Sequence, residues 1–319
     1  MTKTLKTIAI GTSLTAASDG VVRTGVTLAR ATGASVWLVH AYLPIAMAPG
    51  VGLDAEWLEE QRKTLHELLV SQALRTGLSA LAGFSPHQVC LGIGSAHRTI
   101  VDLAQSVQAD LVIVGTAESH GILGSTADRV IRKAPCPVLA VRSETAFPPV
   151  RVEIPVDLSP ISAHALREGL GFLAQIGAPA AETEVLFVLN PFEVGGSINF
   201  TPEQIQRFAG EELGRFLTAN LPENPPANTR PGTTRVRSGY EREEILAALK
   251  ERGADLAVLG THGRGGFERL MIGSVAAGVL RSASCNLLII PPAAPLRHEP
   301  ESAGWSPVAV EDPVPAGHV

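Results

Sequence analysis

Aromatic side chains are scarce in this chain, at 4% of 319 residues, which argues against the stacking platforms that hold single-stranded nucleic acid. A basic excess is missing too. Lys and Arg total 26 against 31 Asp and Glu, the net charge is −5, and no long Lys/Arg run occurs, so no nucleic-acid partner is expected. No apolar run reaches the ~18 residues that suggest a membrane span, and the opening MTKTLKTIAI lacks a signal-peptide core. The three cysteines, Cys90, Cys136 and Cys285, are odd in number and show neither CxxC nor zinc spacing. Two of them adjoin apolar strand runs and read as small buried hydrophobes. A cytoplasmic, reducing setting with no membrane partner is the expectation.

Catalytic signatures are equally sparse. There is no GxxxxGK[ST], no GxSxG and no HExxH. Gly92-Ile93-Gly94 opens like a dinucleotide fingerprint, but His97 stands at the third glycine position. The nine histidines, among them His40, His66, His97 and His164, are scattered. Lone histidines of this kind are structural more often than they are ligands. No set of nucleophile, base and orienter emerges, so a dedicated enzyme is not expected.

What the chain does contain is an alternation of strand and helix that occurs twice. Residues 7–14 (TIAIGTSL) and 152–159 (VEIPVDLS) open the halves in matching register. Helical patterns follow at 19–32 and 162–176, then apolar strands at 36–39 and 185–188. Third strands read at 88–92 and 234–239, fourth at 110–115 and 255–260, fifth at 137–141 and 286–290. Such alternation predicts α/β architecture with parallel sheets and crossover helices. A longer amphipathic helix separates the second and third strands of each half. The first spans 54–75, with Leu58, Leu65, Leu68, Leu69 and Gln72 on its core face. The second opens on Thr201-Pro202-Glu203-Gln204, an N-cap, a first-turn proline and a capping-box glutamine. Its core face carries Ile205, Phe208, Ala209, Leu213, Phe216 and Leu217.

The pattern breaks at Phe147-Pro148-Pro149, which places one domain at 1–146 and a second at 147–292. Residues 222–232 (PENPPANTRPG) form a proline-rich loop inside the second domain, and the Pro-, Ala- and Glu-rich 293–319 are expected to be a disordered tail.

The most informative stretch is 254–290. Its apolar strand breaks into Gly260-Thr261-His262-Gly263-Arg264-Gly265-Gly266, and Gly273-Ser274 precede the helical run from Val275. Glycines at the C-terminal end of a buried strand let main-chain N–H groups approach a phosphate, and a helix N-terminus favours an anion. Gly260, Gly263 and Gly273-Ser274 read G-x2-G-x9-G-S. This resembles the nucleotide-binding signature of the universal stress protein family in its ATP-binding branch, and the resemblance covers about residues 4–292.

The resemblance implies two Rossmann-like (adenine nucleotide alpha hydrolase-like) domains, each a five-stranded parallel sheet with flanking helices. It also implies ATP as ligand, with Mg2+ supplying counter-charge where Lys and Arg are few. The family pattern P-x-D-x-S after the first strand is matched by Pro155-Val156-Asp157-Leu158-Ser159, which assigns Asp157 to the adenosine. A carboxylate there can accept from amino or hydroxyl donors, although an Asp at this turn also suits helix capping. Val188 takes the place that flanks the base, and Leu259, Gly260, Gly263, Gly273, Ser274 and Val275 match positions around the ribose and phosphates. His262 and Arg264 are placed to reach the phosphates, or else are plain loop residues.

The first half departs from this pattern. Ser13 replaces the Asp and Gly11 the Pro, and its loop from Gly115 to Gly124 is four residues shorter than that from Gly260 to Gly273. Glu118 stands in the place of Gly263, where its charge would repel a phosphate. One nucleotide per chain, in the second half, is therefore expected. By resemblance the fifth strands of paired domains meet, so the halves are expected to form an intramolecular pseudo-dimer, with a homodimer of chains open. The functional expectation is a stress-response regulatory module that binds ATP. The alternatives are an interaction scaffold or small-ligand binder with a vestigial site, or a slow ATPase.

Overall fold

Each apolar run forms a strand because helices cover both of its faces. In the computed structural model, which describes residues 4–43, 55–116, 125–142, 147–177, 182–190, 201–222, 231–261 and 272–292, the halves repeat one element order. The first runs β1 (Thr7–Thr12), α1 (Ala16–Thr32), β2 (Ser35–Tyr42), α2 (Ala55–Arg75), β3 (Val89–Ile93), α3 (Ala96–Ser106), β4 (Leu111–Gly115), α4 (Ser125–Lys133) and β5 (Val138–Val141). The second runs β6 (Arg151–Val156), α5 (Pro160–Gln175), β7 (Glu182–Leu189), α6 (Pro202–Asn220), β8 (Thr233–Ser238), α7 (Glu241–Arg252), β9 (Leu256–Gly260), α8 (Ser274–Ser282) and β10 (Asn286–Ile290). The tail from 293 lies outside the described residues.

The described strands join one ten-stranded sheet in the order β3-β2-β1-β4-β5-β10-β9-β6-β7-β8. Neighbours within each half are parallel. The seam between halves is antiparallel, with Leu287 opposite Ala140, Leu288 opposite Leu139 and Ile289 opposite Val138. Both seam strands are buried along their whole length, so each hides the other's open edge. Arg142 N donates to Asn286 Oδ1 across the seam at 2.9 Å.

Side chains alternate along the strands. Ile8, Ile10, Ile154 and Val258 face one core with α1, α2, α5 and α6. Ala9, Val112, Leu186 and Leu259 face the other with α3, α4, α7 and α8. Gly169 lets α5 lie close to β9, since a Cβ there would sit 2.7 Å from Val258 Cγ1.

α1 and α5 begin a little earlier than the apolar spacing predicts, at 16 and 160. Leu14 and Leu158 both take φ 62°, and this left-handed step turns the chain so that Thr15 and Ser159 become the N-caps. The capping box of α6 is present: Gln204 N donates to Thr201 Oγ1 and Thr201 N to Gln204 Oε1.

Two side chains predicted on core faces are not there. Leu68 is 48% exposed and Phe208 49%. α2 and α6 each press a narrow stripe, Leu69, Gln72 and Ala73 in one and Ala209, Leu213 and Phe216 in the other, into the core. Residues at the stripe's edge keep helical spacing yet turn outward. The three cysteines are buried and form no disulfide, and burial pushes the Cys90 and Cys285 thiols up to about 11, which leaves them unreactive.

Candidate functional site

In the second half β6 continues toward β7 and β8, while β9 and β10 lie on its other side. β6 and β9 are therefore neighbours at the point where strand order reverses. The chain leaves β6 for α5 on one face and leaves β9 for α8 on the other. Loops departing to opposite faces open a crevice between the C-terminal strand ends. Pro155, Val156 and Asp157 lie on one side of it, Leu259 and Gly260 on the other.

Pro155 shapes that crevice. The β1–β4 ladder runs from Ile8 opposite Leu111 to Ile10 opposite Ile113. Its counterpart stops at Val152 opposite Leu256 and Glu153 opposite Ala257. Where the first half has Gly11, Pro155 has no N–H to extend the ladder, so β6 and β9 unpair one step sooner.

Asp157 sits half-buried at the β6 end. Its Oδ1 accepts from Ser159 N at 3.0 Å, an Asx turn that orients the carboxylate. The N-cap of α5 is Ser159, whose Oγ accepts from Ser162 N at 3.2 Å, so capping is done one step beyond Asp157. Ser162, which the sequence did not mark, donates to Ser159 O at 3.0 Å and accepts from Asp157 N at 3.4 Å. Only the SxxS spacing hinted at it. Val188, near the end of β7, is buried on the same face as Leu259, Ile272 and Ala276.

Across the crevice, Gly273 is the N-cap of α8 and supplies no side-chain cap. The first-turn N–H groups of a helix lack partners within it, so the amides of Ser274 and Val275 suit an anion. Thr261, also missed in the sequence, is buried. Its carbonyl accepts from Gly273 N at 2.7 Å and its own N–H donates to Ile290 O at 3.1 Å, which fixes the start of α8 against the end of β9. His262, Gly263 and Arg264 lie outside the described residues.

At the end of β1 in the first half, Thr12 joins a chain of side-chain hydrogen bonds with α1 and α2. Thr12 Oγ1 donates to Gln72 Oε1 at 2.8 Å, and Gln72 Nε2 donates to Asp19 Oδ1 at 2.7 Å. Arg75 holds Asp19 through two hydrogen bonds of 2.8 and 2.9 Å and keeps its carboxyl below the usual range. Ser13 is exposed and bonded to Thr15 at 3.0 Å. Glu118 lies outside the described residues.

Among the described residues no group of three or more His, Cys, Asp or Glu is gathered to hold a metal, and no helix is long and apolar enough to cross a membrane.

A family model described as the universal stress protein family matches residues 4–142 and 151–291. A universal stress protein of Mycolicibacterium smegmatis is 27% identical over 297 residues, covering 89% of this chain and 97% of that one. The universal stress protein A homolog 2 of Coxiella burnetii is 34% identical over 119 residues, 34% of this chain and 75% of its own. The solved structure of a universal stress protein from Archaeoglobus fulgidus is similar in fold, with TM-score 0.61, 16% identity, and 89% and 98% of the two chains covered.

Proposed function

The chain belongs to the universal stress protein family as a tandem of two such domains, and from that premise we propose that it binds one adenine nucleotide, ATP, in the second-half crevice and acts as a stress-response regulatory module. The observation that carries this reading is that Asp157 ends β6 beside β9, whose chain leads to α8, where the N-cap Gly273 makes no side-chain cap. One side offers a carboxylate to nucleoside donors and the other offers main-chain amides to phosphate. Val188 supplies an apolar wall for the base. Gly260, Gly263, Gly273, Ser274 and Val275 hold the ribose and phosphates in this reading, with His262 and Arg264 reaching the phosphates from the loop. The described residues assemble no metal cage, so Mg2+ would arrive on the triphosphate.

In the same reading the domains are 1–146 and 147–292, and the antiparallel β5–β10 seam joins them as a pseudo-dimer within one chain. The three buried cysteines, which form no disulfide, suit a cytoplasmic protein. Holding a nucleotide does not by itself accelerate its hydrolysis, so ground-state binding rather than turnover is the expected role in this reading.

Mass spectrometry of small molecules released on denaturing the purified protein tests the reading. An adenine nucleotide at no more than one per chain is expected. A different ligand class in its place would turn the reading toward a small-molecule binder of another kind.

A further inference from the structure

Beneath the crevice, toward the N-terminal ends of the strands, the second half buries two acids side by side. Glu153 on β6 stands directly opposite Glu184 on β7. Glu153 is 0% exposed and Glu184 7%. One guanidinium serves both, with Arg252 Nε 3.3 Å from Glu153 Oε2 and Nη1 3.1 Å from Glu184 Oε2. Both Glu153 oxygens and Glu184 Oε1 are buried and accept no hydrogen bond. Leaving three buried acceptors unsatisfied is costly. The first half has Ala9 and Trp37 at the matching strand positions, so it carries no such pair.

The surrounding charges can be tallied. Arg235 on β8 lies 3.9 Å from Glu184 Oε1 and donates to Glu251 of α7 at 3.0 Å. Arg237 donates to Glu244 at 2.6 Å and to Glu251 at 2.7 Å. Thr233 Oγ1 donates to Glu184 Oε2 at 3.2 Å. From β9 the residue opposite Glu153 is the uncharged Ala257. Four carboxyls (Glu153, Glu184, Glu244 and Glu251) thus face three guanidiniums (Arg235, Arg237 and Arg252). A proton on Glu153 gives the pair a donor for the unmet oxygens.

We propose that Glu153 holds a proton in the folded protein and donates it to Glu184, and that this bond fastens α7 to β6 and β7 so that alkalinisation loosens the second half alone. Burial, and then the Glu184 charge, push the Glu153 carboxyl up to about 8. A carboxyl whose folded-state value is raised binds its proton more tightly folded than unfolded. Its stabilising contribution is therefore full below the ordinary carboxylate value and fades as pH rises toward about 8. The α7 wall of the second half stands on this pair, whatever ligand the crevice takes.

Hydrogen exchange of the full chain, corrected for the intrinsic pH dependence of amide exchange, tests the proposal between about pH 6 and about pH 9, alongside Glu153→Gln. The glutamine reproduces a protonated carboxyl's donor and acceptor. The wild type is expected to lose protection in β6, β7 and α7 by about tenfold per pH unit until it levels off, while β1, β2 and α3 stay unchanged. Glu153→Gln is expected to show no such loss. Infrared spectra of the wild type should carry a protonated carboxylic-acid band near neutral pH that E153Q lacks. Equal loss in wild type and E153Q, equal loss in both halves, or no such band would overturn the proposal.

Discussion

Replacing Asp157 by alanine is expected to weaken ATP binding by about 10- to 150-fold, the worth of a hydrogen bond to a charged group. The same change removes the Asx turn to Ser159 N, at a stability cost of about 1 kcal/mol. Asp157→Asn separates the two roles, because its side-chain carbonyl keeps the turn while the charge is lost. Calorimetric titration of both variants should therefore show weakened binding in each, with thermal stability kept in the Asn variant. Wild-type affinity in Asp157→Asn would reduce Asp157 to a turn residue.

At the seam, Leu288→Ala is expected to cost about 2–5 kcal/mol of unfolding free energy. Leu288 is fully buried and lies opposite Leu139, itself fully buried. Leu139→Ala should cost a similar amount, and the double variant less than the sum, with a coupling of about 0.5–3 kcal/mol. Denaturant unfolding of the four proteins measures this. Strictly additive effects would mean the two leucines do not share one packed seam.

Much of the fold was legible because a parallel strand covered on both faces is nearly all apolar. Runs such as 256–259 and 287–290 announce themselves, and the two-fold recurrence of the order implies the rest. The places of Asp157 just after β6 and of Gly273-Ser274 at the start of α8 followed for a related reason: each belongs to a local motif. What stayed hidden was non-local. Gln72, Asp19 and Arg75 meet at the first-half turn from two helices, and no spacing in the chain connects them. The Glu153–Glu184 pair depends on the β6–β7 register. A lone Glu inside an apolar strand does not reveal whether its face meets solvent or a helix. Leu68 and Phe208 were misplaced because helical periodicity gives the direction of a buried stripe and not its width.

A calorimetric titration of the whole chain with ATP and Mg2+ tests most directly whether the second half alone carries the site. One site per chain is the expected stoichiometry, because the second half combines Asp157 with the crevice opened at Pro155, whereas the first half has Ser13 and Gly11 at those positions. Two equivalent sites per chain, or none, would contradict it.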